Sequence, residues 1–160
     1  MRGYLLDNNH VSALFHKVPE AVARFEAVPT DWQIRVCTIT LGEIEAGNLI
    51  ANPADAIKQE DFNHFLNKHF VKTALEVTAS TRVDYAEILA AIWEAHPPAT
   101  YRVRTEAHLV ALGVDINDLW TVAIAREHNL IFATQDKMTV IRKAAQDVQF
   151  DCWLPERSSC

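Results

Sequence analysis

Short apolar runs alternate along this chain with longer segments in which apolar residues recur every three or four positions. The short runs are rich in β-branched and aromatic residues, which is typical of strands. The longer segments have the period of amphipathic helices. Strands are predicted at residues 4–6, 34–39, 73–77, 130–133 and 148–153, and helices at 11–15, 21–25, 54–70, 83–93, 119–127 and 137–145. This alternation predicts an α/β fold, a three-layer α/β/α sandwich with a central, mainly parallel sheet.

Several boundaries of these elements carry recognisable signals. Pro19 separates the first two helical pieces, and Pro97 and Pro98 stop the helix at 83–93. Asn129 fits the C-terminal end of the helix at 119–127. The segment from Thr40 to Glu43 has the form of a capping box, which predicts that a helix begins there. No helix or strand is predicted for residues 97–115.

Composition fits one domain over residues 1–160. Of these residues, 49% are hydrophobic and 22% are charged, which is ordinary globular usage and argues against disorder. No apolar run is long enough to span a bilayer, and the start lacks the pattern of a secretory signal. We therefore expect a cytoplasmic protein without a membrane partner. The three cysteines are odd in number and widely spaced, which argues against a disulfide framework or a zinc ribbon.

Four acidic residues fall near the predicted carboxyl ends of strands. Asp7 follows the first strand directly, and Glu43 lies in the first turn of the helix after the second. Asp118 opens the helix before the strand at 130–133, and Asp136 follows that strand. Ligands of parallel α/β sheets bind at the carboxyl ends of the strands, so we expect the four carboxylates to gather there. Clustered carboxylates repel unless a cation joins them, and Mg²⁺ prefers such oxygen ligands.

Each of these acids also has a purely structural interpretation. Asp7 could be a turn residue, and Glu43 the partner of the capping box. Asp118 is an ordinary acid for a first helical turn, and Asp136 could cap the helix that follows it. Taken one at a time, the residues leave these alternatives open. Their joint placement at one end of the sheet favours a metal site.

Four motifs carry a resemblance to a known family. Tyr-Leu-Leu-Asp-Asn-Asn-His-Val-Ser-Ala-Leu at 4–14 resembles the opening signature of the PIN-domain nucleases, in particular the VapC-type toxins. Residues 38–44, 116–125 and 132–136 are similar to the second, third and fourth motifs of that family, in the expected order. In the four motifs the family's acids match, in turn, Asp7, Glu43, Asp118 and Asp136. Two departures from the family pattern are Asn8, which stands where the family usually has Thr or Ser, and the segment 97–115, which looks longer than in a minimal member and bears on the choice of substrate and partner.

The resemblance implies a metal-dependent endoribonuclease, the toxin component of a type II toxin–antitoxin system. It implies that the four acids hold Mg²⁺ or Mn²⁺ and act in hydrolysis of RNA phosphodiester bonds. Asn9 and Thr134 would orient the carboxylates through hydrogen bonds. The implied partners are the RNA substrate, an antitoxin protein and a second copy of the chain in a homodimer.

The net charge of −6 is unusual for a protein that binds nucleic acid. Contact with RNA would therefore have to be local, brief or assisted by bound cations. Arg102 and Arg104, next to Tyr101, are candidates for backbone and stacking contacts, with a solvated loop as the alternative. Asp115 is interpreted as a loop aspartate rather than a further site acid.

Two other functions remain open at this point. A phosphatase of the haloacid dehalogenase type also places an aspartate after its first strand, but it needs a second acid where this chain has Asn9. A non-catalytic PIN-like binding domain would be expected to lose acids, whereas this chain keeps all four. No zinc-binding histidine pair and no phosphate-binding glycine loop is present in the sequence.

Overall fold

The computed structural model describes residues 2–51, 53–100 and 104–155. In that part of the chain, four strands form one sheet in the order β2-β1-β3-β4, and every pairing is parallel. The strands are β1 (Gly3–Leu6), β2 (Gln33–Arg35), β3 (Ile131–Ala133) and β4 (Phe150–Asp151). The connection from β1 leads to β2 on one side of the central β1–β3 pair, and the connection from β3 leads to β4 on the other side. The topological switch point, where ligands bind in such sheets, therefore lies between β1 and β3.

Helices connect the strands and cover the sheet. Two short 3₁₀ turns, Pro53–Asp55 and Val71–Thr73, flank the fourth helix. The helices of the described residues are α1 (Asn8–Phe15), α2 (Pro19–Glu26), α3 (Thr38–Ile50), α4 (Ala56–His69), α5 (Thr81–Ala95), α6 (Glu106–Ala111), α7 (Ile116–Glu127) and α8 (Thr139–Ala144).

The two faces of the sheet contribute to two different hydrophobic clusters. Leu5 and Phe132 belong to a cluster with residues of α5, α6, α7 and α8. Leu6 and Ala133, their neighbours in sequence, belong to a cluster with residues of α1, α3 and α4. Successive side chains of a strand point to opposite faces, so helices pack on both sides of the sheet. The predicted three-layer α/β/α sandwich with a parallel sheet is confirmed.

The first strand pair depends on a glycine. Gly3 lies opposite Gln33 in the parallel register of β1 and β2. A Cβ atom at position 3 would lie 2.2 Å from the carbonyl oxygen of Gln33. Only glycine permits this approach of the two backbones, so β1 and β2 depend on the absence of a side chain at position 3.

The start of α3 corrects two predictions. Strand β2 ends at Arg35, and the helix begins at Thr38 with Cys37 as its N-cap. The strand predicted at 34–39 was too long, and the capping box predicted at Thr40 does not exist. The physical reason is a contact distant in sequence: the Thr38 backbone N–H donates to the Leu75 carbonyl at 2.9 Å, and Cys37 forms a parallel bridge with Leu75.

The remaining boundaries are close to the predicted ones. Asn129 has a φ of 51° after the end of α7, as its predicted role at a helix C-terminus requires. The strand predicted at 73–77 is reduced to the single bridge at Leu75. The unassigned stretch 97–115 contains α6. No helix within the described residues is long and apolar enough to cross a membrane.

Candidate functional site

The four acids singled out in the sequence line one cleft at the carboxyl ends of the strands. The cleft has a volume of about 570 Å³. Asp7 follows β1 and Asp136 follows β3, so these two flank the switch point of the sheet. Glu43 enters from α3 and Asp118 from α7. A fifth carboxylate, that of Asp115, lines the same cleft, although the sequence had suggested a plain loop residue.

Asp7 is held on both its backbone and its side chain. It is the N-cap of α1, and its Oδ1 accepts a hydrogen bond from the His10 backbone N–H at 3.0 Å. Its own N–H donates to the Ala133 carbonyl at 3.1 Å, which ties the end of β1 to the end of β3. The residue is buried, with 8% of its surface exposed. Asp7 therefore both caps α1 and lines the cleft.

Glu43 lies in the second turn of α3, because that helix begins at Thr38. Its Oε1 accepts a hydrogen bond of 2.9 Å from the Asn117 side-chain amide. The capping-box interpretation of Glu43 is therefore wrong. The contact with Asn117 instead joins α3 to the first turn of α7 at the rim of the cleft.

The pKa of Asp118 is strongly shifted by its place in the cleft. Burial first, and then the negative charges of Asp115, Asp136, Glu43 and Asp7, together raise its pKa from the ordinary 3.8 to about 7. Like charges disfavour ionisation, and so does the loss of hydration. The shift shows that these carboxylates lie near enough to sense one another's charge.

Asp136 is arranged by residues from two segments. Its Oδ2 accepts from the Asn9 side-chain amide at 3.4 Å, and its backbone N–H donates to Thr134 Oγ1 at 3.0 Å. Its carbonyl accepts from the Arg142 guanidinium at 3.2 Å. The N-cap of α8 is Met138 rather than Asp136, so the capping interpretation of this acid is wrong as well.

The two arginine candidates have different outcomes. Arg102 lies outside the described residues. Arg104 is exposed and is not among the described residues that line the cleft. Its assignment to RNA contact stays a prediction.

The donor set of the cleft fits a hard divalent cation in its chemistry. Five carboxylates line the cleft, and Mg²⁺ and Mn²⁺ prefer oxygen ligands. In the part of the chain that the structure describes, however, no three His, Cys, Asp or Glu side chains form a group that could hold a metal ion. Mg²⁺ keeps several waters and usually takes only one or two carboxylates directly, so a closed group of three ligands is not required.

Reasoning from the sequence missed Asn117 and His10, and it interpreted Asp115 as a loop residue although that residue lines the cleft. Asn117 precedes the predicted acid Asp118 directly, and Asp115 lies three residues before it, so the local pattern contained a signal for both. His10 falls inside the first motif and beneath Asp7. The spacing of the histidines in the sequence had excluded zinc-binding pairs and gave no indication of a contact with Asp7.

A parallel sheet in the order β2-β1-β3-β4, with helices on both faces and acids at the switch point, places this chain in the PIN-like α/β/α fold class. Solved structures share this fold. One of them is VapBC2 from Rickettsia felis, which was solved bound to a DNA fragment from the VapBC2 promoter. A chain of that structure superposes with a TM-score of 0.66 at 18% identity. That comparison covers 96% of this chain and 99% of the other.

Two further structures give the same result. FitAcB from Neisseria gonorrhoeae matches with a TM-score of 0.65 at 22% identity, over 92% of this chain and 95% of that chain. VapBC-5 from Mycobacterium tuberculosis, a member of the VapBC family of toxin–antitoxin systems, matches with a TM-score of 0.56 at 23% identity, over 93% and 96%. No family model and no curated protein matches the sequence. The resemblance to the VapC-type PIN fold is thus confirmed as a likeness of fold.

Proposed function

We propose that the chain is a metal-dependent endoribonuclease, a single PIN-like nuclease domain over residues 1–160, and the toxin component of a type II toxin–antitoxin pair. The observation that carries the proposal is the acidic cleft at the switch point of the sheet, in which burial and four neighbouring carboxylates raise the pKa of Asp118 to about 7. The likeness of fold to VapBC complexes supports the same assignment.

In this proposal Asp7, Glu43, Asp118 and Asp136 hold one or two Mg²⁺ or Mn²⁺ ions. When bound, such an ion would activate water and offset the negative charge that develops on the phosphodiester. The cation would also relieve the repulsion that raises the pKa of Asp118.

Two amides would keep the carboxylates in place. Asn117 holds Glu43, and Asn9 holds Asp136. Thr134 acts on Asp136 through the backbone N–H of that residue. A haloacid dehalogenase mechanism needs a second acid at position 9. The side chain there is an amide, and it donates a hydrogen bond to Asp136 Oδ2.

The decisive experiment is cleavage of single-stranded RNA by the purified chain with Mg²⁺ or Mn²⁺, and with a chelator. We expect Asp7→Asn and Asp118→Asn to reduce the cleavage rate by at least about 10²-fold, because each removes an oxygen ligand of the ion. Asp61→Asn, which changes an exposed acid of α4 outside the cleft, is the matched control and should cleave like the wild type. Full activity of either cleft variant, or cleavage that survives the chelator, would contradict the proposal.

The proposed partners are RNA, an antitoxin and a second copy of the chain. The structures with a similar fold include VapBC-5, a member of the VapBC family of toxin–antitoxin systems, and VapBC2, which was solved bound to DNA. We expect expression in a bacterial host to arrest growth, and Asp7→Asn or co-expression of a short protein encoded immediately upstream to relieve the arrest. Arrest that persists with Asp7→Asn would have a cause other than nuclease activity.

A further inference from the structure

His10 is a buried residue whose side chain contacts Asp7, one of the acids that line the cleft. It is the third residue of α1 and its exposed fraction is 0%. Burial of a polar side chain is costly unless its polar atoms are hydrogen-bonded. Both ring nitrogens of His10 have partners, and one of these partners is the first acid of the cleft.

The two contacts define the protonation of the ring. Nε2 of His10 accepts a hydrogen bond from the Trp153 backbone N–H at 3.0 Å, so Nε2 carries no proton. A neutral imidazole then has its proton on Nδ1. Nδ1 lies 2.9 Å from Asp7 Oδ1, and it therefore donates to that oxygen. The Trp153 amide thus fixes which nitrogen of His10 faces Asp7.

Oδ1 of Asp7 accepts two hydrogen bonds from the same residue, one from the His10 backbone N–H and one from Nδ1–H. Two donors on one oxygen fix the rotation of the carboxylate and leave Oδ2 as the oxygen for a cation. The packing is also tight, because the His10 ring meets the Trp153 indole edge to face with centroids 5.8 Å apart, and Trp153 is 2% exposed.

We propose that His10 is a positioning residue for Asp7: its Nδ1–H sets the orientation of the carboxylate, and the backbone of Trp153 sets the tautomer of His10. This role rests on the proposed function, since it concerns the same cleft. Residues that orient ligating carboxylates contribute to metal affinity although they do not touch the metal. A merely structural histidine would stabilise the fold and leave the affinity unchanged.

The tautomer can be measured without metal or RNA. Long-range ¹H–¹⁵N NMR spectra of the wild-type chain should show a proton on Nδ1 of His10 and an unprotonated Nε2. A proton on Nε2 would overturn the proposal, whatever the enzymatic activity of the chain. Because this measurement needs no variant, it does not depend on whether a substituted chain folds.

A pair of substitutions separates the two hydrogen bonds. The amide of His10→Asn falls near the position of Nδ1 and can still donate to Asp7. The longer His10→Gln brings its amide near Nε2, so it keeps a partner for Trp153 and loses the donor to Asp7. Each variant gives up one buried hydrogen bond, so we expect similar melting temperatures for the two.

The readout is the affinity for Mn²⁺, measured by calorimetric titration. We expect His10→Gln to bind Mn²⁺ about 10- to 100-fold more weakly than the wild type, and His10→Asn to stay within about threefold. In RNA cleavage, His10→Gln should lower kcat with little change in KM. His16→Gln, a change at an exposed histidine after α1, is the matched control and should be unaffected.

The possible failures are distinguishable. Equal Mn²⁺ affinities of the wild type and His10→Gln would overturn the role of His10 alone. Equal losses in His10→Asn and His10→Gln that follow their melting temperatures would assign His10 a structural role. A wild-type chain that binds no Mn²⁺ would overturn the proposed function, and with it the role of His10.

Discussion

At the scale of single residues, Glu43 has few contacts through which it could stabilise the fold. It is exposed, it caps no helix, and its described side-chain partner is Asn117. We expect Glu43→Gln to reduce metal-dependent RNA cleavage by about 10-fold or more, because it removes a negative ligand. The melting temperature should change by only about 1–2 °C, since exposed substitutions usually alter stability by less than about 0.5 kcal/mol. Comparable losses of activity and of melting temperature would contradict this.

Asp118 should make the stability of the metal-free chain depend on pH. Its pKa in the folded chain is about 7, above the ordinary 3.8. Between these two values the folded chain holds a proton that the unfolded chain has lost. The stabilisation from this proton is therefore complete below about pH 4 and is lost as the pH rises through 7.

We expect Asp118→Asn to be more stable than the wild type in the presence of a chelator, because the amide cannot acquire the repelled charge. The difference should grow from pH 4 to pH 7 and stay constant above. After a discount for the partial exposure of Asp118, it should reach about 1 kcal/mol, or about 2–4 °C in melting temperature. Asp61→Asn is again the control, and a difference that does not vary with pH would contradict the shifted pKa.

At the scale of elements, the strand pair β1–β2 offers a direct test of the register. Gly3→Ala would place a methyl group against the Gln33 carbonyl, and we expect a loss of about 1–3 kcal/mol or more. Gly42→Ala is the matched control within α3, where the added methyl would meet nothing within 4 Å. It should stabilise the chain by about 0.5–1 kcal/mol, as alanine does inside helices. Urea unfolding of both variants measures the two effects, and similar signs would contradict the close approach at Gly3.

Most elements were predictable because their patterns are local. The period of apolar residues located β1, β3 and the helices α4, α5 and α7. The start of α3 was not predictable, because Thr38 and Ile39 favour a strand locally and only the pairing with Leu75 turns the chain there. A contact between residues so far apart in the chain leaves no signal in a short window of sequence.

The residues of the candidate site also fall into two groups, those that local patterns predict and those that depend on contacts distant in sequence. The four acids could be found because the ends of parallel strands meet at one edge of the sheet. The bond from Asn117 to Glu43 joins residues 74 positions apart, and the bond from Trp153 to His10 joins residues 143 positions apart. No spacing rule covers such pairs, so the roles of Asn117 and His10 emerged only from the structure, whereas the family resemblance had already pointed to Asn9 and Thr134.

At the scale of the whole molecule, the charge of the chain is unfavourable for RNA. The net charge is −6, and several cations are already paired with acids. Arg126 contacts Asp84, Glu87 and Asp147, and Arg24 contacts Asp151. The chain has 15 Lys and Arg residues against 21 Asp and Glu residues, so phosphates meet a net repulsion.

We expect RNA binding to depend only weakly on salt. A chain that neutralises one or two phosphates should lose less than about tenfold in affinity between 50 and 200 mM salt, whereas 6–10 phosphate contacts would cost about 10³–10⁵. Fluorescence anisotropy with a labelled RNA and the inactive Asp7→Asn variant gives the slope. A steep slope would point to a basic surface made by another chain or by the residues around Arg102.

The order of the acids along the chain has a consequence for synthesis. Asp7 leaves the ribosome before Asp136, and the Thr134 backbone N–H donates to the Asp151 carbonyl of the strand that follows Asp136. During translation the growing polypeptide therefore lacks part of the carboxylate set until Asp136 has been added and β4 has paired with β3. Under the proposed function, we therefore expect a chain that stops before this strand to cleave no RNA.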